Sequence, residues 1–142
     1  MASGYPDYEG GKAGVYSVAE WAAFEGKEIT LNDSAVNVAW NGNETLNNVV
    51  AAGKTIYINQ ACFYCQAFLQ ADADNNQMCQ LQIYRSLPGP VAWYALVTSN
   101  GGGQLTFPRP LKFIAGDTLT AIVYNRANHN VNIGMTLTGY EI

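Results

Sequence analysis

Apolar and polar residues alternate along most of this chain with a period of two, the spacing that places neighbouring side chains on opposite faces of a β-strand. In TLTAIVY, residues 118–124, the alternation puts Leu119, Ala121 and Val123 on one face. VNIGMTLT, residues 131–138, repeats the pattern with its apolar residues at the odd positions. We therefore predict antiparallel strands with one face on a core and the other face outward.

About eight such segments follow one another between clusters of turn residues. The predicted turns are NDS (32–34), NGN (41–43), DADNN (72–76), LPGP (87–90), NGGG (100–103) and RANHN (126–130). Helical spacing is found only in residues 15–26, where a strand is nearly as well supported. The pattern predicts an all-β fold, an antiparallel two-sheet, jelly-roll-like sandwich of about eight strands.

The chain divides into an arm and one domain. Residues 1–14 are rich in Gly, Tyr, Asp and Pro, which is typical of an arm outside a packed core. We predict that residues 15–142 form a single β-sandwich domain, a size that can bury a core without disulfides or metals.

Composition narrows the classes of partner. Charged residues make up 13% of the chain, its net charge is -4, and the seven Lys and Arg are scattered, so we expect no nucleic-acid partner. No apolar run approaches the roughly 20 residues of a membrane-spanning helix, so we expect no membrane partner. A neutral surface rich in amides, hydroxyls and tyrosine is suited to contact with protein or with sugar. The first residues are neither basic nor apolar, so we expect a complete gene product without a secretory signal, made in a cytosol.

The three cysteines raise the question of metal or redox chemistry. Cys62 and Cys65 form a C-x-x-C pair, and Cys79 and His129 could complete a zinc site. However, residues three apart in a strand point to opposite faces, and no strand–helix context for a thioredoxin-type motif is present. We interpret the cysteines as reduced core residues, with a zinc or a redox site as alternatives.

Other candidate chemistry is sparse. The segment 72–76 has the Asp and Asn residues of a calcium loop but lacks its Gly and Glu, so we interpret it as a hairpin loop, with a weak cation site as the alternative. His129 is the only histidine, and no nucleophile elbow accompanies it. We therefore predict that the protein is not an enzyme and has no catalytic residues, cofactor or metal.

The aromatic residues are the best candidates for binding. Tyr5, Tyr8, Tyr16 and Trp21 lie in or beside the arm, and we predict that they contact another subunit. Trp40 and Trp93 lie in alternating segments, so we predict that they fill the core.

The C-terminal segment FPRPLKFIAGDTLTAIVYNRANHNVNIGMTLTGYEI resembles the end of trimeric jelly-roll modules of virions, among them the capsid decoration (cement) proteins of tailed phages and phage fibre or spike knobs. The resemblance covers residues 105–142. Gly116-Asp117 would make a tight turn, and Gly139 would let the last strand pass close to its neighbour. These positions are structural, so the resemblance transfers no catalytic residue.

The resemblance implies a homotrimer that binds the major capsid protein through the residues around Tyr5, Tyr8, Tyr16 and Trp21 and stabilises the shell. It would be made in the host cytoplasm and act on the virion surface. The alternative is a carbohydrate-binding or receptor-binding module, lectin-like or at a fibre tip, that stacks glycan on Trp21, Trp40 or Trp93. A metal-dependent enzyme built on Cys62, Cys65, Cys79 and His129 is a third hypothesis.

Overall fold

The computed structural model describes residues 26–86 and 92–142. Its eight strands are β1 (Lys27–Val38), β2 (Asn43–Val49), β3 (Thr55–Ala67), β4 (Met78–Ser86), β5 (Ala92–Asn100), β6 (Gly102–Ile114), β7 (Thr118–Asn125) and β8 (Val131–Glu141), with a 3-10 turn at Gln70–Asp72. The predicted arm, the segment 15–25 and the LPGP turn lie outside the described residues. Within the described part, no helix is long and apolar enough to cross a membrane.

The strands form two antiparallel four-stranded sheets, which confirms the predicted fold class. The first sheet has the order β1-β8-β3-β6 and the second sheet the order β2-β7-β4-β5. Because the chain passes repeatedly from one sheet to the other, each sheet joins strands that are distant in sequence, as a jelly roll does.

The inner faces of the two sheets meet in one core, and the strongest sequence alternation lies on its central strands. In β7 the inner side chains Leu119, Ala121 and Val123 are fully buried. The inner residues of β8 are buried likewise, as predicted. Apart from the fully buried Phe113, the inner side chains of the outer strands β1, β5 and β6 are only partly buried and pack around this centre.

The predicted turn at Gly116-Asp117 and the close approach at Gly139 are both confirmed. Gly116 has φ +88°, and the Asp117 carboxylate accepts a hydrogen bond from the Ile114 amide at 2.8 Å. A Cβ added to Gly139 would overlap the main chain of Tyr57, which explains why β8 has no side chain there.

Two predicted turns were wrong. The NDS segment lies inside β1, because that strand pairs with β8 through Asn32, Asp33 and Ser34. Gly102 and Gly103 belong to β6 instead of a flexible loop tip. β6 also continues through Pro108 and Pro110, which an edge strand tolerates because these residues face only Asn59 at a bulge of β3 and need donate no hydrogen bond.

One end of the sandwich collects four connections: residues 39–42, 68–77, 101 and 126–130. Asn125 holds two of them together. Its buried side chain donates hydrogen bonds to the carbonyl oxygens of Val38 and His129 and accepts one from the Ala127 amide, at 2.8–3.0 Å. We call this the 126–130 end.

Candidate binding surface on the second sheet

The outer face of the second sheet carries an uncharged mixture of amide, hydroxyl and aromatic side chains. Strand register places the following outward-facing residues side by side: Asn43, Thr45, Asn47 and Val49 of β2; Thr118, Thr120, Ile122 and Tyr124 of β7; Gln80, Gln82, Tyr84 and Ser86 of β4; and Trp93, Leu96 and Thr98 of β5. We call these residues the amide–aromatic face.

Trp93 is the most prominent aromatic side chain of this face. It is 60% exposed, and its ring packs on that of Tyr84, with centroids 4.8 Å apart and planes tilted by 47°. Leu96 on the same strand is 63% exposed. A large indole fixed by a neighbouring ring and left open on its outer side is the kind of group that anchors a protein or stacks on a sugar ring.

This position contradicts the prediction that Trp93 fills the core. The register between β4 and β5 shifts after Ile83, so Tyr94 becomes the extra residue of a β-bulge. Tyr94 then points inward, where its ring meets Phe113 edge-on at 5.1 Å, and Trp93 points outward. Trp40 is also misplaced by the sequence prediction, because it lies in the connection 39–42 and is 62% exposed.

Hydrogen bonds between side chains hold the polar part of the face in place. The Gln80 amide donates to Thr98 at 3.2 Å, the Gln82 amide donates to Gln80 at 3.1 Å, and the Thr120 hydroxyl donates to Asn47 at 2.8 Å. Side chains that are already fixed lose less conformational entropy when a ligand binds. The face is therefore suited to recognition through hydrogen bonds.

Arg126 closes the face at the 126–130 end. Its guanidinium lies 4.5 Å from the ring centroid of Tyr124 and donates to Asn41 at 2.9 Å and to Gln80 at 3.1 Å. Beside it a cavity of about 270 Å³ is lined by Asn76, Met78 and the connection 126–128. Trp40, the residue before Asn41, lies in the connection 39–42 at the same end of the sandwich, and its indole is exposed.

The sequence-predicted residues fall in different places. Tyr5, Tyr8, Tyr16 and Trp21 lie outside the described residues. Sequence reasoning placed Tyr124 on the outer face of β7 but did not identify Tyr124, Tyr84 or Arg126 as candidate binding residues, although the alternation of β4 also indicates an outward Tyr84.

The four residues of the zinc hypothesis do not converge. Cys62 lies on the outer face of β3, whereas Cys65 is buried on its inner face, as the strand argument predicted. His129 bonds through Nε2 to Gln77 Oε1 at 2.9 Å. Within residues 26–86 and 92–142 no three His, Cys, Asp or Glu side chains are grouped as metal ligands.

The loop at residues 72–76 lies in the connection between β3 and β4, which belong to different sheets, so the predicted hairpin was wrong. The Gln77 side-chain amide donates to the carbonyl oxygens of Asp72 and Asn75 at 2.8 and 2.7 Å. The Asp72 carboxylate accepts a hydrogen bond from the Asn75 side chain at 3.1 Å. These groups therefore bond to one another within the loop.

Comparison with known proteins adds little. No protein-family profile matches the chain, and no curated protein matches it. Among solved structures, it is similar to a crystal structure of an exo-β-1,3-galactanase from Phanerochaete chrysosporium with galactose, at 12% identity and a TM-score of 0.35. The match covers 80% of this chain and 29% of the galactanase chain, and a likeness of this size supports no conclusion about function.

Proposed function

We propose that this chain is a virion structural protein, a capsid decoration protein that forms a homotrimer and binds the major capsid protein on the virion surface. The observation that carries the proposal is the amide–aromatic face, whose strand positions hold no charged side chain within the described residues. Protein interfaces are depleted of Lys, Glu and Asp at their centre and enriched in aromatic residues and Arg, as this face is around Trp93 and Arg126.

Two further features support an assembly role. The chain devotes its described residues to a jelly roll, and partly buried apolar side chains follow the neighbouring strands β5 and β6, among them Val97, Leu105 and Phe107. Such side chains can be buried further by another copy of the chain. A protein that binds only the assembled shell stabilises that shell by mass action.

Sedimentation with capsid shells tests the role. The shells are assembled from a purified major capsid protein, and the chain is expected to sediment with them. A Tyr5→Ala, Tyr8→Ala double variant and a Trp93→Ala variant should each bind at least about tenfold more weakly, because aromatic anchors dominate interfaces. Tyr64→Ala, on the outer face of the first sheet, is the matched control and should bind normally.

Native mass spectrometry tests the homotrimer separately. The expected mass is three times that of the chain. A monomer at micromolar concentration would contradict the trimer, and normal sedimentation of both aromatic variants would contradict the assigned binding surface.

A second function, binding of a neutral carbohydrate, is favoured by one specific observation. The exposed Trp93 ring packs on Tyr84, and the next outward-facing residue of β4, Gln82, is held by a hydrogen bond to Gln80, so a sugar stacked on the ring could bond to Gln82. A glycan array followed by calorimetry tests this function. Trp93→Ala should weaken binding about tenfold, equal to the loss of about 1.4 kcal/mol. Binding that is unchanged in Trp40→Ala and Trp93→Ala would exclude this surface.

A further inference from the structure

A cavity of about 450 Å³ opens beside the connection between β3 and β4. Its lining includes the exposed side chains of Phe68 and Leu69, together with Ala73, Gln77 and the buried Cys65. Cys65 is 4% exposed, so its thiol is a buried nucleophile. It lines a cavity that is large enough to hold a small ligand.

A second thiol, that of Cys79, belongs to the residue that follows a contact of Cys65. Cys79 of β4 is fully buried on the inner face of the second sheet, and the Sγ of Cys65 lies 3.8 Å from the carbonyl oxygen of the preceding residue, Met78. The side chain of Cys79 lowers the pKa of Cys65, while the side chain of Cys65 and burial raise the pKa of Cys79. The first thiol is thus the better nucleophile, and the second keeps its proton until the first has reacted.

We propose that Cys65 and Cys79 form a thiol–disulfide exchange site, which takes a low-molecular-weight disulfide through the cavity and closes into a disulfide between the two sheets. The reactive pair is therefore not the C-x-x-C pair of the sequence. Cys62 faces the opposite side of β3, next to Gln104 and Thr136 of the neighbouring strands, and has no second cysteine beside it in the described residues.

The exchange proceeds in two steps. The Cys65 thiolate attacks one sulfur of the small disulfide, which forms a mixed disulfide and releases the first small thiolate. Cys79 then loses its proton, and its sulfur attacks the Cys65 sulfur, which releases the second small thiolate. The two thiolates take up the two protons that the cysteines gave up, so two protein thiols are oxidised and one small disulfide is reduced to two thiols.

The test uses the folded full-length chain with Cys62→Ser and the aromatic disulfide dithiobis(nitrobenzoate) as the probe. We expect two thionitrobenzoate anions per chain, no retained probe, a mass lower by about two hydrogens, and a non-reducing peptide that joins Cys65 to Cys79. Adding Cys79→Ser should stop the reaction after one anion, with the probe retained on Cys65. Cys62→Ala serves as a second background in case the serine disturbs β3.

Three results would overturn the proposal. One is stable probe labels on both Cys65 and Cys79 without a cross-link. Another is no reaction before denaturant is added. The third is a reaction rate that rises with denaturant in step with global unfolding, since this would place the chemistry in the unfolded chain.

Discussion

The outer faces of the two sheets use their aromatic residues in opposite ways. On the first sheet, the ring of Tyr64 lies over Gly134 of the neighbouring strand, so that the aromatic residue covers its own sheet. On the second sheet, the ring of Trp93 on the edge strand β5 packs on the ring of Tyr84, and Trp93 remains 60% exposed.

Charge follows the same division. A cross-strand row on the first sheet runs from Glu28 through Tyr140 and Tyr57 to Lys112. The strand positions of the amide–aromatic face carry no charge in the described residues. The first sheet therefore has closely approaching strands and charged residues on its outer face, whereas the second sheet has an uncharged outer face that is suited to a partner. Removing or adding single side chains can test this division.

The largest effect is expected at Gly139, where β8 and β3 approach most closely. In Gly139→Ala the new Cβ would overlap the carbonyl oxygen of Tyr57 and lie 2.9 Å from the Cα of Ile58, and neither main-chain atom can move alone. We expect a loss of about 3 kcal/mol or more in the free energy of unfolding, measured with urea.

Gly53→Ala provides the matched control for this change. Gly53 has φ +73° but no atom within 4 Å of an added Cβ, so we expect only the backbone cost of about 1 kcal/mol. Equal losses in the two variants would show that the close approach of β8 to β3 is not a constraint.

A smaller effect is expected at Gly134, because the atoms near its added Cβ belong to a side chain. Gly134→Ala would push the Tyr64 ring aside, and that ring is already 45% exposed and can rotate outward. We expect a loss of about 1 kcal/mol, the size of a cross-strand contact.

A double-mutant cycle with Tyr64→Ala isolates this contact. Once the ring is absent, Gly134→Ala should cost close to nothing, since the added methyl group would then meet no ring. An undiminished cost in the Tyr64→Ala background would mean that the ring does not cover Gly134 in solution.

The sequence was sufficient for the parts of the fold that depend on local alternation. It predicted the inner faces of β7 and β8, the turn at Gly116-Asp117 and the close approach at Gly139. These features repeat at fixed spacing or need a residue without a Cβ, so they can be recognised without knowing the neighbouring strand.

The binding surface could not be predicted in the same way, because it depends on bulges and on sheet packing. One extra residue at Tyr94 reverses the direction of Trp93, and VAWYALV is apolar at both alternating sets of positions, so it gives no warning. The approach of Cys65 on β3 to the β4 residue before Cys79 depends on how the two sheets face one another, whereas the sequence offered only the adjacent pair with Cys62.

A smaller effect on stability is expected at Trp93. If its ring serves a partner, Trp93→Ala removes only the packing on Tyr84, and we expect a loss of about 0.5–1 kcal/mol by urea unfolding. Leu96→Ala on the same strand should cost about 0.5 kcal/mol or less. A loss of about 2 kcal/mol or more for Trp93→Ala is the cost of truncating a buried side chain, and it would show that Trp93 is part of the core. A small loss in stability together with weakened partner binding would instead show that Trp93 serves binding and contributes little to the free energy of unfolding.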